Sequence, residues 1–337
     1  MTMASKLWQF MWRQRWLPLR HKKLIYRKLL SAGESPDVPF EIDFFGLRYR
    51  GNLNNSIEFN IYYYGAFEKP LLFFLRDALL NLQQAGAGQL FCDIGANIGQ
   101  HALFMSRFAA HVHAFEPYGT VNAKLTRHMR LNNIGNITLH EVGLSDKAEE
   151  LTFFAPSGRN QGIGSFDVDS ISKGNTDAGK LSLVRADDYF PANSIGPVAL
   201  MKMDVEGFEK PALEGLRATL QDDRPILVCE ISYEGKLAFR SRDDFLATLP
   251  PITCCSRSIP VMPMAARPSV AAPGPGVAVL SNCCPLPAGG SRAKTISSPV
   301  QWKRQAYYPA AIARAALNSL SSELKLIRPS AKKSILA

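Results

Sequence analysis

The feature that most limits how this chain can fold is a regular alternation, between residues 89 and 250, of short apolar runs with segments of helical periodicity. Strands that alternate with helices form a mostly parallel sheet with right-handed crossovers. We therefore predict an α/β fold, a Rossmann-like, mostly parallel twisted sheet with helices on both faces. The five strand-like runs are QLFCDIG, HVHAFEP, NITLHEVGLSD, PVALMKMDVEG and RPILVCEIS.

The sequence before this alternation predicts a small β/α lead-in. Residues 40–64 alternate in polarity and are rich in Phe, Tyr and Ile, which predicts one or two short strands. A leucine-rich helical pattern follows and ends near Gly86. The predicted organisation is a basic Trp-rich segment (1–33), the lead-in (34–88), the ligand-binding α/β domain (89–250) and a Pro/Ala-rich basic tail (251–337).

After Pro250 the alternation stops. Residues 251–300 contain no acidic residue, and nothing in them resembles the paired strands that would complete such a sheet. Two explanations stay open: a poorly ordered basic tail, or a change of reading frame near codon 251.

The charge is distributed unevenly. The net charge is +10, but the first 33 residues hold eight Lys or Arg and no acid, and the residues from Phe245 onward hold eleven against Glu323. The middle therefore contains 20 basic and 28 acidic residues. A basic groove for nucleic acid is not expected there.

The cysteines and the apolar stretches indicate the compartment. The six cysteines have neither disulfide-framework nor zinc-site spacing, and no apolar stretch approaches the roughly 20 residues that span a bilayer. Trp8, Trp12 and Trp16 recur every four positions among basic residues. We predict a cytoplasmic protein, with either peripheral contact of residues 1–30 to the inner membrane face or packing of these indoles on the protein itself or a partner.

The segment FCDIGANIGQHALFMS, residues 91–106, predicts a strand that ends in an acid and a helix that begins on glycines. Gly95 and Gly99 lack a Cβ and would let the loop backbone approach a ligand. Asp93 could accept from an ammonium group, and the amides that open the helix near Gly99 could bind a carboxylate. Asn97 could adopt a strained turn or donate to the ligand. The loop thus predicts a binding site at the carboxyl edge of the sheet.

Glu116 ends the next strand, where it could accept both hydroxyls of a ribose. Dinucleotide sites have G-x-G-x-x-G, which presents a helix start to a pyrophosphate. Here the spacing is D-x-G-x-x-x-G, with the acid before the glycines. An acid in this place suits a ligand with an ammonium group and disfavours a pyrophosphate. These residues favour S-adenosylmethionine, which carries an amino acid, a ribose and an adenine, over NAD.

Five segments, in order, resemble the FkbM family of S-adenosylmethionine-dependent methyltransferases: CDIGANIGQHALFMS, HAFEPYGTVNAKL, NNIGNITLHEVGLSD, LMKMDVEGFEKPALEG and ILVCEIS. The resemblance covers roughly residues 40–250. It implies a class I methyltransferase fold whose last strand is antiparallel, and methyl transfer to oxygen, commonly on sugars or polyketide-type metabolites. By the match of motifs, the cofactor contacts would be Asp93, Gly95, Asn97, Gly99 and Glu116, with Ser145 and Asp146 near the adenine.

Three carboxylates are the catalytic candidates. Asp204 and Glu206 follow the fourth predicted strand, and Glu230 ends the fifth. An acceptor hydroxyl must lose its proton, which calls for a base or a metal. Either Asp204 is the base and Glu230 orients the substrate, or Asp204 and Glu230 hold a Mg²⁺ ion that binds the acceptor oxygen. Lys202 could pair with a carboxylate, and His101 is a candidate second base.

These patterns predict an O-methyltransferase that acts on a carbohydrate or another small hydroxylated metabolite. An NAD(P)-linked oxidoreductase of the same fold is one alternative. An inactive membrane-surface module is another.

Overall fold

A computed structural model of the chain describes residues 10, 14, 16, 18–31, 37–156, 164–231, 237–250, 254–257 and 276–281. These residues all belong to one compact unit. Residues 1–9 and 11–13 of the segment predicted to contact a membrane, and most of the predicted tail, lie outside the described residues, so both expectations stay predictions. No helix in the described ranges is long and apolar enough to cross a bilayer.

One helix, α1 (Leu19–Ser31), precedes the lead-in. The lead-in contains a hairpin and two helices: β1 (Pro39–Phe44), β2 (Leu47–Asn52), α2 (Ser56–Tyr64) and α3 (Lys69–Gln84). The two short strands and α3 were predicted. The strand pattern predicted through residue 64 was wrong beyond Asn52, because the Asn55 side chain accepts from the Ile57 and Glu58 amides and starts a helix. This cap and the burial of Phe59 and Ile61 override the strand propensity of the segment.

The α/β part follows in the predicted rhythm. Its elements are β3 (Leu90–Ile94), α4 (Gln100–Met105), β4 (His111–Phe115), α5 (Gly119–Leu131), β5 (Ile137–His140), β6 (Gly143–Ser145), β7 (Glu149–Pro156), β8 (Asn175–Arg185), α6 (Ala186–Ala192), β9 (Leu200–Met203), α7 (Glu209–Gly215), α8 (Arg217–Asp222), β10 (Ile226–Ile231), α9 (Arg242–Ala247), β11 (Cys254–Arg257) and β12 (Gly276–Ser281).

The main sheet confirms the predicted α/β fold. Its strand order is β11-β12-β10-β9-β3-β4-β5, and the last five of these strands are parallel. Consecutive residues of β3 and all four of β9 are buried, so both faces of the sheet are covered. The chain order reverses between β3 and β9, and such a reversal opens a crevice at the carboxyl ends of the strands.

Two strands after Pro250 correct one expectation. β12 pairs antiparallel with β10, and β11 pairs antiparallel with β12. The statement that no paired strands complete the sheet was therefore wrong, and the antiparallel last strand implied by the FkbM resemblance is present. These strands were not predicted because the segments on both sides of Gly276–Ser281 are rich in Pro and Gly, which is not typical of a sheet.

A second sheet is inserted between β5 and β9. It has the order β6-β8-β7, with β7 and β8 antiparallel. The third predicted strand is therefore two strands, since the chain leaves the main sheet after His140 and joins the small one at Gly143. The second sheet stands over the carboxyl edge of the main sheet and forms one wall of the crevice.

Two cysteines lie in the core as buried thiols. Cys92 on β3 and Cys229 on β10 are both fully buried and free. They belong to the same apolar cluster as Leu213 and Leu220 of the helices that follow β9.

The lead-in is fastened to α5 by polar contacts with the exposed edge of β2. The Arg48 amide donates to Asn132 Oδ1 at 2.7 Å, and the Arg50 amide donates to His128 Nε2 at 3.1 Å. Glu58, 1 % exposed, lies under the hairpin, where it accepts from the Asn52 amide and pairs with Lys124 of α5, both at 3.2 Å. A buried charge with two such partners fixes where the lead-in sits on the sheet.

We expect Glu58→Ala to lower the free energy of unfolding by about 2–4 kcal/mol, because it leaves a buried amide and the Lys124 ammonium without their acceptor. The measurement is urea unfolding followed by circular dichroism. Glu41→Ala is the matched control, since Glu41 pairs with two arginines on the exposed face of the hairpin, where loss of an ion pair costs at most about 1 kcal/mol. Equal losses in the two variants would contradict the assignment.

Candidate functional site

A cavity of about 300 Å³ opens at the carboxyl ends of β3, β4, β9 and β10, where the strand order reverses. Its walls come from the loops after these strands, from residues 56–57 and 67–68 of the lead-in, and from the second sheet. Its polar lining is rich in carboxyl groups and contains the single lysine Lys202. The lining carboxyl groups are those of Glu68, Glu116, Asp204, Glu206 and Glu230.

The loop after β3 is shaped by contacts within the protein. Gly95 has a φ of +76°, and a Cβ on it would lie 1.9 Å from the Asp204 carbonyl oxygen. At Gly99, where φ is +80°, a Cβ would lie 2.5 Å from the Leu125 side chain of α5. Gly95 lines the cavity and Gly99 does not. The two glycines let the end of β9 and helix α5 approach, and contact of Gly95 or Gly99 with a ligand stays a prediction.

The amides of this loop are already used. The Gly95 and Ala96 amides donate to the Phe115 carbonyl, and the Gly99 amide donates to the Ala96 carbonyl. The Asn97 amide donates to Glu116, and the Ile98 amide donates to the Asn97 side chain. The expected capture of a ligand carboxylate by the amides opening the helix therefore has no support from residues 95–99. The loop offers a ligand acceptors rather than donors.

Asp93 is placed differently from the prediction. Its side chain is fully buried and does not line the cavity. The Lys202 ammonium lies 3.6 Å from Asp93 and 3.5 Å from Asp204, and donates to the Gly95 carbonyl at 3.3 Å. Lys202 thus occupies the place that the sequence assigned to a ligand ammonium, because β9 runs beside β3 with Lys202 opposite Asp93.

The charges of this pair reflect its surroundings. Burial raises the pKa of Asp93 to about 6, although Lys202 opposes the shift. Burial lowers the pKa of Lys202, but the carboxylates of Asp204, Asp93, Glu68 and Glu230 outweigh it and raise that pKa above its usual value. Lys202 therefore stays protonated and holds the ends of β3 and β9 together.

Glu116 lies where it was predicted, at the end of β4 and in the cavity wall. Its two oxygens accept from the amides of Asn97 and Tyr118, each at 2.9 Å. Burial raises its pKa to about 7, against the effect of these hydrogen bonds. The two amides fix the orientation of the carboxyl group, and each oxygen keeps a second lone pair for a ligand hydroxyl.

Ser145 and Asp146 are not brought to the cavity. Ser145 is fully buried and donates to Asp146 and Glu149, while Asp146 is exposed. The preceding residues Gly143 and Leu144 line the cavity instead. The residues expected near the adenine therefore do not line the cavity, and the residues two positions earlier do, because the chain turns into the second sheet there.

The three catalytic candidates come together in the wall of the cavity. Asp204, Glu206 and Glu230 all line it. Burial, followed by the charge of Asp204, raises the pKa of both Glu206 and Glu230. Lys202 pairs with Asp204 as the sequence suggested. Among the described residues, no group of three or more His, Cys, Asp and Glu side chains is arranged to hold a metal ion; a Mg²⁺ ion on Asp204 and Glu230 stays a prediction.

Other lining residues were missed or underrated from the sequence. Glu68, in the turn before α3, was not singled out, although its charge next to Lys69-Pro70 marks a helix start. Aromatic side chains of the second sheet and the neighbouring loops form one continuous wall, with ring centroids 5.0–5.2 Å apart. These rings belong to Tyr118, Phe153, Phe166 and Phe208.

The fold and its cavity define a Rossmann-like α/β domain with a site at the carboxyl ends of its parallel strands. Residues 93–249 match the family description "Methyltransferase FkbM domain". This segment is therefore similar to FkbM methyltransferase domains, and the resemblance inferred from the motifs is confirmed.

Curated relatives share this domain. "Methyltransferase 1" of Beauveria bassiana is 28 % identical over 141 residues, covering 37 % of this chain and 57 % of the relative. "31-O-demethyl-FK506 methyltransferase FkbM" of Streptomyces tacrolimicus is 28 % identical over 155 residues, covering 38 % and 60 %. The chain thus spans less than two thirds of each relative. The crystal structure of an FkbM methyltransferase from Methylobacillus flagellatus is similar with a TM-score of 0.35 and 18 % identity, over 50 % of this chain and 39 % of that one.

We expect Lys202→Met to lower the free energy of unfolding by about 3–5 kcal/mol, because Asp93 would be left buried and unpaired. Adding Asp93→Asn should restore part of that loss. The measurement is urea unfolding of the two single variants and the double variant without ligand. Strictly additive losses would show that the two groups do not interact.

Proposed function

We propose that this protein is an S-adenosylmethionine-dependent methyltransferase that methylates a hydroxyl oxygen. One observation carries the proposal: five carboxyl groups line the cavity, while the amides of residues 95–99 donate within the protein. Such a lining favours a cationic ligand with hydroxyl groups. S-adenosylmethionine carries a sulfonium, an ammonium and two ribose hydroxyls.

The residues present fit this cosubstrate. Glu116 is held by two amides in the orientation that a ribose diol requires. Leu144 and Leu183 supply an apolar surface beside Tyr118 for a flat base. The carboxyl groups of Glu68, Asp204, Glu206 and Glu230 also line the cavity, and the positive charges would lie against them. The name of the Streptomyces relative describes methylation of an oxygen by that protein, which supports oxygen as the acceptor atom here.

The same observations argue against an NAD(P)-linked oxidoreductase. The amides of residues 95–99 all have acceptors within the protein, so this loop leaves none of them for a pyrophosphate. Glu116 would also repel the 2′-phosphate of NADP in this cavity.

The bound cosubstrate would supply a sulfonium methyl group, whose carbon an acceptor oxygen would attack in line with the S–C bond, with S-adenosylhomocysteine as the leaving group. This chain must orient the acceptor and take its proton. Asp204, Glu206 and Glu230 lie together at one end of the cavity, and the raised pKa values of Glu206 and Glu230 make these carboxylates stronger bases. Positioning against the aromatic wall would supply a further part of the rate.

The acceptor that fits is a small molecule with hydroxyl groups, such as a carbohydrate. Aromatic faces pack against the apolar faces of sugar rings, and the neighbouring carboxylates accept from hydroxyls. The cavity wall combines both features, with Phe153, Phe166 and Phe208 next to Glu206.

We expect S-adenosylhomocysteine to bind and raise the unfolding temperature, and NAD to leave it unchanged. Glu116→Gln should weaken S-adenosylhomocysteine binding by about 10- to 100-fold, because a charged acceptor of two hydroxyls is replaced by an amide. Thermal unfolding measures the first effect and isothermal calorimetry the second, with Glu141→Gln as a control at an exposed position. Stabilisation by NAD and no heat with S-adenosylhomocysteine would reverse the assignment.

A further inference from the structure

The buried position of Asp93 raises the question of which group receives the amine of the cosubstrate. Asp93 does not line the cavity and is neutralised by Lys202 at 3.6 Å. Asp204 lines the cavity but pairs with the same lysine at 3.5 Å. Of the other lining carboxylates, Glu116 is assigned to the ribose and Glu206 and Glu230 to the acceptor, which leaves Glu68 for the ammonium. This inference rests on the proposed function.

Glu68 is the carboxylate that the lead-in brings to this end of the cavity. Its side chain lines the cavity and is 16 % exposed. Its ion-pair neighbour is His101, whose Nε2 lies 3.7 Å from Glu68 Oε2. Burial, followed by the charge of Lys202, lowers the pKa of His101 well below its usual value, so the imidazole is neutral and does not balance Glu68.

The backbone at Glu68 is held in a conformation that needs support. Its φ and ψ are +46° and +42°, a left-handed conformation that disfavours residues other than glycine and asparagine. Gln100 clamps the preceding residue from both sides, since the Phe67 amide donates to Gln100 Oε1 at 2.7 Å and Gln100 Nε2 donates to the Phe67 carbonyl at 2.9 Å. Strain that a dedicated contact maintains at a cavity wall points to a role in binding.

His101 supplies an independent sign that a ligand atom belongs here. Its Nε2 is buried, has no hydrogen-bond partner among the residues that the structure describes, and belongs to a residue that lines the cavity. A buried polar atom without a partner costs about 1–3 kcal/mol, which a bound polar group would recover. The gap between His101 Nε2 and Glu68 is slightly too long for a direct hydrogen bond.

We propose that Glu68 is the carboxylate that binds the α-ammonium group of S-adenosylmethionine, that Gln100 and His101 position it, and that Asp93 instead anchors Lys202. Recognition of the amino-acid end of the cosubstrate is thus carried by the lead-in. The assignment also explains why the lead-in, rather than the parallel sheet alone, closes this side of the cavity.

The test compares two ligands in matched variants by calorimetry: S-adenosylhomocysteine, and its analogue with hydrogen in place of the α-amino group. In the parent protein, loss of the amine should weaken binding by about 10- to 100-fold, the worth of a charged hydrogen bond. In Glu68→Gln the same loss should cost less than about threefold. Glu68→Asn, whose side chain tolerates the left-handed backbone, provides a second variant with the same expectation.

Two controls isolate the amine. Glu116→Gln, another carboxyl of the same cavity, should weaken both ligands by the same factor. Binding of 5′-methylthioadenosine, which lacks the amino-acid part, should be equal in the parent protein and in Glu68→Gln.

The proposal is overturned if loss of the amine costs the same factor in the parent protein and in both Glu68 variants. Failure of the proposed function would look different, because the parent protein would then bind neither S-adenosylhomocysteine nor its analogue.

Discussion

The buried ammonium of Lys202 is the interaction on which the site depends. Two parallel strands, β3 and β9, end side by side, and each brings an acid to this edge, Asp93 and Asp204. Like charges so close in a buried place would repel each other and keep their protons. Lys202 lies within 3.6 Å of both carboxylates and donates to the Gly95 carbonyl between them. The geometry of the loop after β3 follows from this contact, since Gly95 approaches the Asp204 backbone too closely for any side chain.

This arrangement divides the acids of the site into two groups. Asp93 and Asp204 both pair with Lys202. Glu68, Glu116, Glu206 and Glu230 line the cavity without an ion pair to this lysine. Burial raises the pKa of each of these four, and neighbouring carboxylates add to it, although Lys202 opposes the shift at Glu68, Glu116 and Glu206. Such a cavity is unfavourable when empty and ionised, so a cationic ligand gains from entering it. The amides of residues 95–99 donate within the protein, so this loop leaves none of them to bind an anion.

The sequence predicted the parallel sheet well because its strands are short apolar runs with clear helix patterns between them. Glu116, Asp204, Glu206 and Glu230 were also placed correctly, since the end of a parallel strand fixes the edge on which a residue lies. The roles of Asp93 and Gly99 were not predictable from their own segment. Both depend on which strand or helix lies opposite, and strand order is a property of the whole chain.

Other misses have local causes. The strand pattern of residues 56–64 gave way to an asparagine cap, and β11 and β12 lie in a segment whose composition is unlike a sheet. Glu68 stands almost thirty positions before Gly95 and carries no recognisable motif of its own. Glu68 reaches the cavity because the lead-in contacts α5 through Glu58 and α4 through Gln100.

The most direct test of a cavity built for a cation is the pH dependence of S-adenosylmethionine binding, measured by calorimetry in buffers of different ionisation enthalpy. The pKa values of Glu68 and Glu116 are raised to about 7, so part of their carboxyl groups is protonated at neutral pH. A cationic ligand favours the ionised forms, so binding should release protons and the affinity should rise between pH 6 and pH 8, by up to about tenfold per pH unit for each proton released. An affinity that is constant over this range, or that falls with net uptake of protons, would contradict the account.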